Sequence, residues 1–181
     1  MYLVIDLEAT CWNDGSKKPN ETIEIGCALV TTDLKILSTL TTMVRPKLNL
    51  VLSPFCKELT GITQDMVDGA QIFPDAISSF CNSVKEITDK PVQDHVFCSW
   101  GHYDKHQMER DCELHSIEYP FGRHVSVKHE FARRRHEKPC GVVNMLKKLG
   151  MTFEGNPHRG IDDARNVARI LISELRSAGT V

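Results

Sequence analysis

Tyr2-Leu3-Val4-Ile5-Asp6-Leu7-Glu8-Ala9-Thr10 is the stretch on which the reading of this chain turns. Residues 2–5 form a short apolar run of the kind that fills a buried strand, and the run leads straight into two acids separated by one residue. Residues i and i+2 of a strand point to the same face. Asp6 and Glu8 therefore stand side by side, while Leu7 turns the other way, into a core. Adjacent carboxylates repel each other unless a cation lies between them. Hard divalent ions such as Mg²⁺ and Mn²⁺ take oxygen ligands of this kind. Taken alone, the pair reads equally well as a solvated strand end.

Beyond a polar loop over residues 13–20, residues 23–32 and 36–44 read as two further strands, close enough in sequence to pair antiparallel. Short helices are expected over residues 54–59, with Pro54 in the first turn, and after the capping residue Thr63. Phe73, Ala76, Ile77, Phe80 and Val84 recur at helical spacing. Residues 96–99 and 125–127 read as short strands, with a helix from Asp104 to Leu114. Two more apolar stripes, Val142 to Leu149 and Ala164 to Leu175, complete the chain. Strands first, then helices alternating with short strands, predict an α/β domain with a mixed sheet.

Two further acidic clusters stand at the ends of elements, where active sites on α/β sheets collect. Ser99-Trp100-Gly101-His102-Tyr103-Asp104 leaves a strand and enters a helix. His158-Arg159-Gly160-Ile161-Asp162-Asp163 enters the last helix. In this order, D-x-E, a mid-chain Asp and H-x-x-x-x-D resemble the DEDDh 3′→5′ exonucleases. The detailed likeness is to the histone-mRNA and small-interfering-RNA 3′ exoribonucleases. It is carried by Asp6-Leu-Glu-Ala-Thr-Cys, Glu21-Thr-Ile-Glu-Ile, Val44-Arg-Pro, Leu52-Ser-Pro-Phe-Cys and Leu59-Thr-Gly-Ile-Thr-Gln-Asp. Leu149-Gly-Met and Pro157-His-Arg-Gly-Ile-Asp-Asp-Ala-Arg-Asn-Val-Ala-Arg-Ile extend it through nearly the whole chain. In this sequence the mid-chain acid follows Trp100 by four residues, whereas in some relatives it follows a Trp directly. Larger relatives carry an RNA-binding module ahead of the nuclease, and none is expected here.

The resemblance implies a ribonuclease H-like mixed β-sheet flanked by helices, and 3′→5′ hydrolysis of RNA to nucleoside 5′-monophosphates. It implies two divalent cations, Mg²⁺ or Mn²⁺, held by Asp6, Glu8, Asp104 and Asp163. His158 would be the general base, and neutral imidazole suits that role near pH 7. Phe55 and Trp100 would sandwich the terminal base, a reading favoured over the alternative that both are core aromatics. Leu7, Ala9 and Thr10 would line the sugar pocket, where a bond to the 2′-OH would favour RNA. The expected partner is single-stranded RNA or an RNA 3′ overhang. The alternatives are a DNA 3′ exonuclease with the same machinery, a ribonuclease H-type endonuclease, and a non-catalytic module that holds RNA ends. Asp162 reads as a capping or supporting neighbour of Asp163.

Bulk properties fit this reading. The 181 residues, 41% hydrophobic, point to one domain over 1–181 with a single core. A formal net charge of −2 argues against coating nucleic acid by charge alone. It suits an enzyme that meets phosphates through bound cations. Seven cysteines, an odd number without a C-x-x-C pair, favour a reducing compartment, with the cytoplasm as the expected location. No leader opens the chain, and no apolar run approaches the ~20 residues of a membrane span. The run Arg133-Arg134-Arg135 reads as a solvated helix face or as a track for phosphates. A zinc site from Cys98, His102, His106, Cys112 and His115 is a weaker alternative, because the spacings match no standard module.

Overall fold

The computed structural model describes residues 1–179. One six-stranded sheet runs β4-β3-β2-β1-β5-β6. Its strands are β1 Tyr2–Ala9, β2 Thr22–Val30, β3 Ile36–Arg45, β4 Gln71–Ile72, β5 Val96–Ser99 and β6 His124–Ser126. β1, β2 and β3 form an antiparallel meander, and β5 and β6 join β1 in parallel. The mixed sheet expected from the sequence is therefore present. β1 is longer than its apolar run, because β2 pairs with it from Tyr2↔Val30 to Glu8↔Glu24. Asp6 and Glu8 thus lie within the strand rather than beyond its end.

The helices are α1 Pro54–Thr60, α2 Gln64–Asp68, α3 Phe73–Thr88, α4 Tyr103–His115, α5 Val127–Arg135, α6 Val142–Lys148 and α7 Gly160–Ser177. Strand alternation divides them between two faces. Leu3, Ile5, Leu7, Ile25 and Leu29 pack with Phe73, Ile77 and Phe80 of α3 and Met108 of α4. Val4, Ala28 and Val30 pack with Val167, Ile170 and Leu171 of α7, Phe131 of α5 and Leu146 of α6. A third cluster of Ile23, Leu52, Cys56, Ile62 and Val67 seats α1 and α2 at the end of β2. Ser53 caps α1 by accepting the Cys56 N–H at 2.9 Å, and its hydroxyl donates to the Cys11 carbonyl. That bond ties α1 to the segment just after the two acids.

The sequence reading missed α5. Val127, expected in a strand, begins this helix, and its only buried side chains are Val127 and Phe131. Polar and charged residues and one alanine fill the remaining positions, so no apolar stripe announces it. The arginine run ends α5 in salt bridges. Arg133 and Arg134 meet Glu130, and Arg135 meets the buried Glu174. All seven cysteines are free thiols. No helix among the described residues is long and apolar enough to cross a membrane.

Two glycines set how closely α7 approaches the sheet. A Cβ on Gly26 would lie 2.0 Å from the Gly160 carbonyl carbon, and one on Gly160 would lie 2.9 Å from the Asp6 carbonyl oxygen. The helix therefore begins in direct backbone contact with β1 and β2. Gly26→Ala should lower the unfolding free energy by at least about 1–3 kcal/mol, the usual cost of overpacking. Urea unfolding measures this, and a change below about 0.5 kcal/mol, the range of neutral surface substitutions, would show that α7 can withdraw freely.

Candidate active site

The acids gather because the central strand outruns its parallel neighbour. β5 pairs with β1 only as far as Val4↔Cys98 and stops at Ser99. Beyond that point the Leu7 N–H has no strand partner. Asp104, in the first turn of α4, fills the gap, and its Oδ1 accepts that N–H at 3.1 Å. On the face towards α7, ligand oxygens of Asp6, Glu8 and Asp163 all lie within 4.8 Å of one another. Four acids from three distant segments thus meet at the carboxyl end of β1.

Their charges are poorly compensated. Burial, followed by repulsion from Asp104, Asp163, Glu8 and Glu24, holds the Asp6 carboxyl well above the usual range. Burial and the Asp163 and Glu24 charges push Glu8 up to about 8. Burial raises Asp104 to about 6, against the lowering pull of the Leu7 N–H. Asp163 is also raised by burial, although the His158 N–H and the His158 charge oppose the shift. A set of acids that disfavours its own ionisation, built only from oxygen donors, fits hard divalent cations.

Asp163 and His158 are placed by the entry to α7. Asp163 Oδ2 accepts the His158 N–H at 2.7 Å. His158 is exposed and holds a left-handed backbone, with φ +63°. Such conformations are uncommon outside glycine and collect at functional sites. Next to it, Arg159 donates from Nε and Nη2 to the fully buried Glu24 at 3.2 and 3.3 Å, and the Gly160 N–H adds a third bond at 3.1 Å. Glu24 lies directly across from Glu8 in the β1–β2 register. The guanidinium and the α7 amide therefore answer one member of a like-charged pair and leave Glu8 to the site. Asp162 supports the same loop, accepting the Asn156 N–H at 2.9 Å and pairing with Arg165.

Around the acids, the other expected residues take distinct positions. Phe55 is half-buried on α1, beside the segment that follows β1. Trp100 is half-buried against the second core, and its indole N–H donates to the Cys140 carbonyl at 3.1 Å. Leu7 and Thr10 are buried. Leu7 packs in the first core, and the Thr10 hydroxyl accepts the Glu21 N–H at 3.0 Å, so both form a wall behind the acids. The Ala9 carbonyl faces the Cys56 thiol at 3.8 Å.

Tyr103 was not singled out in the sequence. It is 49% exposed, directly precedes Asp104, and lies under the Arg110 guanidinium at 5.9 Å. Burial raises its phenol to about 12, with Asp104 and Glu8 among the charges that contribute. The available signal was an aromatic immediately before the mid-chain acid, the placement that some relatives give to a Trp. Glu24 and Arg159 were also missed. Their signal was a lone acid in an otherwise apolar strand, with a cation beside the candidate histidine.

Comparison with known proteins places these residues in context. A family model described as RNase_T, Exonuclease, matches residues 3–171. The human 3′-5′ exoribonuclease 1 is 34% identical over 183 residues, covering 96% of this chain and 52% of the human protein. The chain thus spans about half the length of this relative and of its rat and mouse counterparts. The nuclease domain of 3′hExo, a DEDDh family member bound to rAMP, superimposes with a TM-score of 0.89 at 33% identity, covering 97% of this chain and 92% of that one. A 3′-exonuclease studied for 3′-end-specific recognition of the histone mRNA stem-loop superimposes with a TM-score of 0.86 at 31% identity, covering 97% and 81%.

The raised carboxyls predict proton-coupled metal binding. With Glu8 near 8 and Asp104 near 6, the metal-free site holds protons at pH 7 that a cation must displace. Calorimetric titration with Mn²⁺ in buffers of different ionisation enthalpy should detect proton release at pH 7. Affinity should rise between pH 6 and pH 8. Binding that releases no protons and ignores pH over that range would contradict the electrostatics described above.

Proposed function

Because the chain belongs to the RNase T exonuclease family, in its DEDDh group, we propose that it is a 3′→5′ exonuclease releasing nucleoside 5′-monophosphates from the 3′ end of single-stranded RNA. The observation that carries this reading is the convergence of Asp6, Glu8, Asp104 and Asp163 beside an exposed His158. Two divalent cations, Mg²⁺ or Mn²⁺, held by those four carboxylates would supply an acidified water and neutralise charge on the leaving 3′ oxygen.

The remaining work falls to the chain's own side chains. His158 takes the proton of the attacking water, and its imidazole is suited to that task at neutral pH. The Glu24–Arg159 clamp holds the His158 loop against the sheet. Phe55 on α1, Tyr103 next to Asp104, and Trp100 at the end of β5 are the aromatic side chains offered to the last bases, each stack contributing roughly 1–3 kcal/mol without reading sequence. An aromatic grip of this kind selects a strand end rather than an internal bond.

RNA is preferred over DNA as the substrate because relatives at 31–34% identity are exoribonucleases by name or are described with rAMP and with a histone mRNA stem-loop. A DNA 3′ exonuclease would use the same four acids and remains the alternative. A binding module without catalysis would have no use for a complete ligand set plus a general base. Seven free thiols suit a reducing compartment, and we assign the cytoplasm.

Matched 5′-labelled RNA and DNA strands, digested with Mg²⁺ or Mn²⁺ and with a chelator, test the proposal. RNA should shorten stepwise from its 3′ end, and the chelator should stop it. His158→Ala should slow the reaction by about 10²–10⁴-fold, the usual worth of a general base, and Asp6→Asn should abolish it. Both variants digesting RNA at the original rate would overturn the assignment, and DNA loss with intact RNA would transfer it to DNA.

A further inference from the structure

Four histidines from three elements gather in a cluster to which the nuclease reading gives no role. His102 stands at the centre. Its ring centroid is 5.0 Å from His129, 5.6 Å from His124 and 6.2 Å from His106. His102 and His106 lie one turn apart at the start of α4, His124 is on β6, and His129 is on α5. This is a different set from the Cys98, His102, His106, Cys112 and His115 considered in the sequence. Cys98 and Cys112 are buried in opposite cores, and His115 stacks on Phe73.

We propose that His102, His106, His124 and His129 form a second metal site, selective for an imidazole-seeking transition ion of the Zn²⁺ class and separate from the carboxylate site. The separations from His102 put the rings within reach of one shared ion, once they turn. With Zn–N near 2.0–2.1 Å, an imidazole centroid lies about 3.2 Å from the ion, so two rings at the tetrahedral angle stand about 5.2 Å apart. The observed separations of 5.0–6.2 Å are close to that value.

Hydrogen bonding also prepares one ring as a ligand. Ser99 Oγ lies 3.0 Å from the Gly101 carbonyl and also reaches the Asp104 carboxylate. Its 2.9 Å contact with His124 Nε2 ties that nitrogen to the fold and leaves Nδ1 as the ring's other ligand atom. A metal-ligating histidine is typically held in this way by an outer partner. Burial, followed by the neighbouring His102 charge, pushes His124 down to about 4, so the ring is neutral at pH 7. His129 Nδ1 is held by Ser126 Oγ at 2.7 Å, leaving Nε2 outward.

His102, His106 and His129 are exposed, and they stack nearly flat, at 15° and 25° from His102. Among the described residues only the acid trio already brings three ligand atoms within 4.8 Å. The histidine site therefore closes by rotation of exposed rings when the ion arrives. Imidazole donors favour Zn²⁺, Cu²⁺, Ni²⁺ or Co²⁺ over the oxygen-seeking Mg²⁺, so the two sites would not compete for the same cation.

The test uses the full chain carrying Asp6→Asn, which weakens the acid site, titrated with Zn²⁺ by calorimetry and examined by X-ray absorption. One equivalent of Zn²⁺ with at least three nitrogen ligands is expected. Adding His106→Gln and His129→Gln, both at exposed positions, should weaken Zn²⁺ binding at least tenfold and remove imidazole scattering. The same pair in the otherwise unaltered chain should leave Mg²⁺-dependent digestion and the circular dichroism spectrum unchanged. Zn²⁺ bound through oxygen alone, or bound equally well after the two histidine substitutions, would overturn the proposal and leave the rings as a stacked surface cluster.

Discussion

Mutual repulsion among buried carboxylates is the constraint that the rest of the fold accommodates. Asp6, Glu8, Asp104 and Asp163 meet at a half-buried end of the sheet, and desolvation and charge together raise the carboxyls. Concentrating like charge in this way opposes folding unless positive charge joins it. A hard divalent cation answers oxygen donors gathered within 4.8 Å of one another, bringing two positive charges to one point.

Rigidity around that point comes from backbone contacts. β5 stops early and frees the Leu7 N–H for Asp104. Gly26 and Gly160 let the first turn of α7 rest on β1 and β2. Glu24 and Arg159 then lock the same turn from beneath. The first device places Asp104 and the other two fix the turn that carries Asp163, with His158 next to it in a left-handed backbone. In the general-base role proposed for His158, an unconstrained loop would lose the orientation on which proton transfer depends.

Much of this was legible in the sequence because the governing patterns are local. The apolar run before Asp6, the stripe from Phe73 to Val84 and the stripe of the last helix each show their period over a few turns or residues. His158 and Asp163 are separated by one helix entry, so their spacing survives in sequence. What the sequence concealed depends on tertiary partners. α5 carries too few apolar residues to show a period, and Tyr103 gains its place beside the acids only when α4 docks. Glu24 and Arg159 are 135 residues apart and meet only through the glycine contact. The histidine face likewise unites α4, β6 and α5, where sequence proximity had grouped His102 and His106 with cysteines that belong to the cores.

The most direct test is where metal binds. Crystals soaked in Mn²⁺, with diffraction measured at the manganese absorption edge, should show anomalous peaks between Asp6, Glu8 and Asp163, with Asp104 directed at the same cluster. Peaks absent from that end of β1, or density that turns Asp104 or Asp163 outward to solvent, would contradict the account.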